Sequence, residues 1–86
     1  MLICRVKQVD FVDRKLGITL REDNRPERFF RVSLNRNNTL IDRVTNNGGD
    51  VPSLSDVREV LKFEGDLLRA FAELTKGKLT YMQEEK

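Results

Sequence analysis

The sequence predicts an α+β fold: a small antiparallel sheet with the element order βββααβ and one long amphipathic helix packed across one face. Two patterns and the length support this prediction. Apolar and polar residues alternate through residues 1–34, which is the period of half-buried strands. Apolar residues then recur at helical spacing through residues 54–76. A chain of 86 residues corresponds to a single domain, 1–86.

The first 34 residues predict a three-stranded meander. In the first strand, at 2–12, the apolar phase shifts by one residue between Val6 and Val9, which predicts a bulge near Gln8. Regular alternation predicts further strands at 16–22 and 27–34. The stretch Asp-Asn-Arg-Pro between them is rich in turn-forming residues. Short connections favour antiparallel neighbours, so the three strands should follow one another in the sheet.

The next segment predicts a short helix at 39–46. Its apolar residues include Ile41 and Val44 at a helix-compatible spacing, and Asn38 or Thr39 could provide the N-cap. The run Asn-Asn-Gly-Gly should stop this helix and begin a surface loop.

One long helix is predicted at 54–76, followed by a short strand at 78–83 that returns to the sheet. Ser53 and Asp56 have the spacing of a capping box, although Asp is a poorer partner than Glu in that motif. Gly65 interrupts the pattern and makes a kink or break an alternative. The residues that recur at helical spacing are Val57, Val60, Leu61, Leu67, Leu68, Phe71 and Leu74.

The composition argues against an enzyme. The chain has no histidine and a single cysteine, Cys4, which excludes His-based triads, zinc sites built on His or several Cys, and internal disulfides. Neither GxxxxGK[ST] nor GxGxxG occurs. We therefore predict no catalytic residues, no metal and no cofactor. Glu64 lies within the apolar arc of the predicted long helix, which is the side formed by the residues that recur at helical spacing. There it is either an acid–base group or, as we prefer, a residue at a helix bend or paired with Arg28 or Arg5.

Charge indicates which type of partner the protein could bind, and hydropathy and cysteine content indicate its cellular compartment. Residues 1–49 contain ten Lys/Arg and six Asp/Glu, a net +4, whereas residues 50–86 contain six and eight, a net −2. This imbalance permits contact with phosphate or an acidic protein but requires neither. The solitary cysteine, together with the lack of a membrane-length apolar run or a signal-peptide pattern, predicts a cytoplasmic protein without a membrane partner.

The stretch from Arg25 to Asn38 is the strongest candidate for a binding surface, because it combines arginines, asparagines and two adjacent phenylalanines. Arg and Phe are enriched in interface cores. The alternative is that Phe29 is covered by the chain itself and that the arginines pair with Glu22, Asp23 and Glu27. The predicted partner-binding residues are Arg21, Arg25, Arg28, Phe29, Arg31, Arg36 and Asn38.

These observations predict a small non-enzymatic binding protein, such as an inhibitor, adaptor or regulator, that uses an Arg/Phe-rich sheet face. A protein is the preferred macromolecular partner. The alternative is a nucleic acid bound by the same basic face, although the aromatic RNP pattern of RNA-binding sheets is absent. The wide apolar arc of the long helix also leaves a homodimer open.

Overall fold

The computed structural model describes the backbone of residues 1–84 and the side chains of residues 1–75. Four strands form one antiparallel sheet in the order β1-β2-β3-β4, so that each strand pairs with the next one in the chain. The strands are β1 (Leu2–Asp10), β2 (Lys15–Glu22), β3 (Arg28–Leu34) and β4 (Ile41–Asn46). Two helices follow, α1 (Leu54–Leu61) and α2 (Glu64–Glu84). The predicted α+β class and antiparallel sheet are confirmed, but the element order is ββββαα.

The core lies between one face of the sheet and the two helices. Alternate residues of the central strands β2 and β3 are buried on this face, as a half-buried strand requires. The helices contribute Val60, Leu67 and Phe71. The strand residues of the core are Leu16, Ile18, Leu20, Phe30, Val32 and Leu34. The opposite face of the sheet is therefore directed away from the helices, and it is the face on which the candidate site lies.

The bulge predicted in the first strand is confirmed. The register of β1 on β2 shifts between Val6 and Gln8, which leaves Lys7 without a cross-strand partner. Before the bulge, Leu2, Cys4 and Val6 pack against the core, and after it Val9 does so. The extra residue thus keeps the apolar side of β1 on the core face over its whole length.

The predicted helix at 39–46 is wrong, because the segment forms the fourth strand. Val44 lies opposite Val32, and Ile41 lies opposite Leu34, so both apolar residues extend the core face of the sheet. A short apolar run cannot be assigned to helix or strand by spacing alone, and β-branched residues fit a pleated surface well. An isolated helix of this length would also be only marginally stable in water.

Asn35 organises the hairpin loop that makes this strand possible. Its Oδ1 accepts hydrogen bonds from the backbone N–H groups of Thr39 (2.8 Å) and Leu40 (3.2 Å). Its Nδ2 donates to Thr39 Oγ1 (2.9 Å), and its backbone N–H donates to the Leu40 carbonyl (3.0 Å). Asn38 takes the left-handed conformation that the tight turn needs, with φ of 57°. The loop therefore returns the chain beside β3.

The single helix predicted at 54–76 is also wrong, since the helix is interrupted at residues 62–63. The N–H of Phe63 donates to the Val60 carbonyl (2.9 Å) in a tightened last turn of α1, and the N–H of Leu67 donates to the Phe63 carbonyl (2.8 Å) to start α2. Gly65 lies in the first turn of α2, just after the break. The predicted start is confirmed: Ser53 Oγ accepts a hydrogen bond from the Asp56 N–H (3.2 Å).

The predicted strand at 78–83 is wrong, because the helical backbone of α2 continues to Glu84. Gly77 lies at the boundary between the predicted helix and strand, but a glycine inside a helix costs only about 1 kcal/mol and is often tolerated. Neither described helix combines the length and apolarity needed to cross a bilayer.

Candidate functional site

The sheet surface directed away from the helices is the candidate site, and we call it the outer face. The strand register places its residues, because each pairs with a neighbour that points to the same side. The outer face consists of Ile3, Arg5, Gln8 and Asp10 from β1, Lys15, Gly17, Thr19 and Arg21 from β2, Phe29, Arg31 and Ser33 from β3, and Arg43 and Thr45 from β4.

Basic side chains dominate the outer face. Its cations are Arg5, Lys15, Arg21, Arg31 and Arg43, and Asp10 is the one anion among these paired residues, while Asp13 and Asp42 line hollows on the same face. Within residues 1–75, none of these five cations forms a salt bridge or a side-chain hydrogen bond. Four of them, the arginines, are exposed, and Lys15 is half-buried. The face therefore carries local positive charge that contacts within the described part of the chain do not neutralise.

Phe29 gives this basic surface one aromatic group. Its side chain is 50% exposed, so the ring is accessible beside the cations of this face. Arg5, Thr19 and Phe29 lie in one cross-strand row. Thr19, between the two larger side chains, is only 1% exposed, and its hydroxyl oxygen has no hydrogen-bond partner within the described residues.

Gly17 opens a polar hollow in the middle of the outer face. It lies opposite Gln8 on one side and Arg31 on the other, and a Cβ built on it would lie 3.3 Å from the Cβ of Gln8. A glycine inside a strand often marks such a close approach. The hollow has a volume of about 180 Å³. Its lining residues are Gln8, Asp10, Asp13, Lys15, Gly17 and Arg31.

A second hollow of about 350 Å³ adjoins the first one towards β4. Lys15 and Arg31 line both hollows, and Asp42 and Arg43 line the second. These two cations are therefore shared by two polar depressions, and each depression also contains at least one carboxylate. This mixed arrangement suits a partner that offers both acidic groups and hydrogen-bond donors.

The structure brings together three of the predicted partner-binding residues, Arg21, Phe29 and Arg31, on the outer face. Arg25 lies in the β2–β3 turn, where its Nη1 is 3.4 Å from Glu22 Oε2 in an exposed ion pair. This pairing is the alternative that the sequence had left open for Arg25.

Arg36 and Asn38 are exposed in the β3–β4 loop, at one end of the sheet and not on its outer face. The backbone N–H of Asn38 donates to the Asn35 carbonyl (3.0 Å), so this residue has a clear role in the turn.

Arg28 lies on the helix side of the sheet, in contrast to the other predicted residues. Its Nη1 contacts Asp56 Oδ1 (2.7 Å) and Glu59 Oε1 (3.0 Å), and its Nη2 contacts Glu59 Oε2 (3.2 Å). These bonds raise the pKa of Arg28, chiefly through Glu59, and the same hydrogen bonds lower the pKa of Glu59. Arg28 therefore ties β3 to α1, and its guanidinium group is already occupied within the molecule.

Sequence reasoning missed three cations of the outer face: Arg5, Lys15 and Arg43. Lys15 falls in the connection between the strands predicted at 2–12 and 16–22, and Arg43 falls in the predicted helix at 39–46, so neither was expected on the sheet face of Arg31. Arg5 could have been found, because it alternates with Leu2, Cys4 and Val6 in the first strand.

Glu64 has a structural partner. Its Oε2 accepts a hydrogen bond from the backbone N–H of Ile41 (2.9 Å), which joins the start of α2 to the start of β4. It lies immediately after the helix break, as preferred from the sequence, but it does not pair with Arg28 or Arg5. In the part of the chain that the structure describes, no three carboxylate or thiol groups converge as metal ligands would.

Comparisons of this chain with protein-family models, curated proteins and solved structures found no match. The site must therefore be interpreted from its own geometry and charge.

Proposed function

We propose that this chain is a non-enzymatic binding protein whose outer face contacts an acidic surface of a partner protein. One observation carries the proposal: five cations lie on one sheet face without an ionic partner within residues 1–75, beside the half-exposed Phe29. Arginine and aromatic side chains are the groups that most often dominate binding energy at protein interfaces. An inhibitor, an adaptor or a regulator would all use such a surface.

The distribution of carboxylates favours a protein over a nucleic acid. Asp10, Asp13 and Asp42 line the hollows beside Lys15 and Arg31. These anions would repel a continuous phosphate backbone, whereas a protein surface can present complementary charges of both signs. Phe29 is also the single aromatic residue of the outer face, and single-stranded nucleic acids are usually held by several stacking side chains.

The test is affinity capture from nuclease-treated lysate of the source cells, using the wild-type chain and a double charge reversal, Arg31→Glu with Arg43→Glu. We expect the wild type to retain a protein at low salt and the reversal to lose it by at least about tenfold, since opposed charges would become like charges. The matched control is Arg58→Glu with Arg69→Glu. It makes the same change of net charge on the exposed sides of the two helices, and it should retain the partner.

Size-exclusion chromatography with light scattering, before and after nuclease treatment, separates the alternatives. Capture of nucleic acid alone, with affinity that falls steeply as salt rises, would replace the protein partner with the nucleic-acid alternative. A mass of two copies would instead establish the homodimer. Equal retention of a protein by the wild type and by the outer-face reversal would refute the proposed site.

A further inference from the structure

Strand β1 forms one edge of the sheet, and a groove runs beneath it. Within the described residues, β1 pairs only with β2, so the backbone groups on its second side have no ladder partner. The groove lies between β1 and α2 and has a volume of about 410 Å³. We call it the β1 groove, and its lining residues are Leu2, Ile3, Cys4, Val6, Phe63, Asp66, Leu67 and Ala70.

The β1 groove is mainly apolar. Asp66 is its one charged lining residue, and the others are apolar side chains or the Cys4 thiol. Burial raises the pKa of Cys4 to about 11, with the nearby Asp66 carboxylate adding to the effect. The groove therefore favours uncharged groups, and Asp66 would repel an acidic side chain directed into it.

The other side of β1 has the opposite character. Arg5 and Lys7 are exposed, and neither has an ion-pair partner among residues 1–75. Arg21, on the neighbouring strand β2, lies on the same face opposite Ile3. A strand laid along β1 would thus meet cations with its outward side chains and an apolar groove with its inward side chains, because successive side chains of a strand point to opposite faces.

A second copy of this chain is a poor occupant of that edge. Two β1 strands side by side would bring the cations Arg5 and Lys7 of both copies together, and like charges on adjacent strands are destabilising. Exposed like charges are also a feature by which sheet edges resist pairing with another copy of the same chain. An acidic strand meets no such repulsion.

We propose that β1 binds an extended segment of a partner protein as an added strand, and that this segment alternates acidic residues outward with apolar residues that enter the β1 groove. The inference rests on the proposed function and specifies how the partner would be recognised. Backbone hydrogen bonds would supply affinity in this mode, and the alternate pockets would supply sequence preference.

The probe is a fluorescein-labelled peptide of alternating glutamate and valine, measured by fluorescence anisotropy at low salt. We expect it to bind at least about tenfold more tightly than a peptide of the same composition with its glutamates and valines in separate blocks. An alternating lysine–valine peptide should not bind. Equal binding of the alternating and the block glutamate peptides would show simple charge attraction and would overturn the added strand.

Two variants of α2 test the groove itself. Ala70→Trp fills the β1 groove and should weaken binding of the alternating glutamate peptide by at least about tenfold. Ala72→Trp places the same side chain at an exposed position of α2 and should leave binding unchanged. A second measurement does not depend on a variant: the bound peptide should slow alkylation of Cys4 in the wild-type chain, and an unchanged alkylation rate would refute the docking position.

The failure of this inference can be distinguished from the failure of the proposed function. Arg31→Glu with Arg43→Glu changes β3 and β4, two and three strands from the β1 edge. Measured at about 0.15 M salt, where charges are screened beyond about 8 Å, it should alter peptide affinity by less than about threefold. If this reversal abolished peptide binding while Ala70→Trp did not, the outer face would bind acidic chains and the groove would not. If no alternating peptide bound at millimolar concentration, the added strand would be excluded, whatever the capture experiment returned.

Discussion

The sequence predicts Arg28 as a partner-binding residue, whereas in the structure it forms ion pairs within the fold. It alternates with Phe30 and Val32 and therefore faces the helices, where two carboxylates from α1 receive its guanidinium group. The three side chains of this cluster are partly buried, with exposed fractions of 23% for Arg28, 29% for Asp56 and 18% for Glu59. Such partly buried, multiply bonded pairs contribute more to stability than exposed ones.

Replacing Arg28 should therefore destabilise the fold. We expect Arg28→Ala to lower the free energy of unfolding by about 1–3 kcal/mol, because it leaves Asp56 and Glu59 without their charged partner. Arg25→Ala is the matched control. It removes an exposed arginine paired with Glu22 at 3.4 Å and should cost less than about 1 kcal/mol. Urea denaturation of the three proteins measures both values, and equal losses would contradict the assigned role.

The ion pair of Arg28 with Glu59 predicts how stability depends on pH. Arg28 lowers the pKa of Glu59 in the folded chain below its ordinary value of 4.5. The stabilisation is therefore fully present above that ordinary value and is lost as the pH falls through the folded value. The stability difference between the wild type and Arg28→Ala should shrink in this acidic range, and a difference independent of pH would exclude the ion pair as its cause.

At the scale of elements, the break between α1 and α2 is set by contacts and not by glycine. The turn at Phe63 and the Glu64 hydrogen bond to Ile41 join the two helices to the end of the β3–β4 hairpin. Gly65, the residue that suggested a break, lies within the first turn of α2 and has open space where a Cβ would lie. It therefore contributes flexibility to the unfolded chain without serving a special conformation.

Gly65→Ala should consequently stabilise the protein, by up to about 1 kcal/mol, because alanine has the higher helix propensity and restricts the unfolded chain. Gly49→Ala provides the contrast. Gly49 has φ of +89°, a conformation that alanine adopts only with strain, so this variant should lose about 1 kcal/mol. Thermal or urea unfolding distinguishes the two variants, and a loss of stability in Gly65→Ala would mean that glycine is required at the break.

At the scale of the whole molecule, the net charge of +2 conceals a one-sided distribution. The outer face collects five cations, with Asp10, Asp13 and Asp42 as the carboxylates at its hollows, whereas carboxylates from α1 bind Arg28 on the helix side. Uncompensated like charges on one face repel each other, and dissolved salt screens that repulsion.

Salt should therefore stabilise the wild type more than the outer-face reversal, Arg31→Glu with Arg43→Glu. The reversal changes the net charge from +2 to −2, so the total magnitude is the same and the comparison reports the local crowding of cations. We expect the wild type to gain a few tenths of a kcal/mol relative to the reversal between low and high salt. The measurement is urea denaturation at several salt concentrations, and identical salt dependence would contradict an uncompensated basic face.

The amino-acid sequence by itself determined the first three strands, the bulge near Gln8, the Ser53 cap and the outward direction of Phe29 and Arg31. These features follow from short-range rules, namely the two-residue period of a strand and the hydrogen-bonding needs of a helix start. Such features can be predicted from the sequence where the local pattern is compatible with only one secondary structure.

Only the tertiary structure decided the fourth strand, the position of Arg43 beside Arg31, and the pairing of Arg28 with Asp56 and Glu59. The apolar residues Ile41 and Val44 suit either a helix or a strand, and pairing with Leu34 and Val32 selects the strand. Arg28 meets its carboxylates across 28 and 31 residues of chain, a separation that no local pattern encodes. The full extent of the outer face depends on β4, because a surface shared by four strands is set by how distant segments pair.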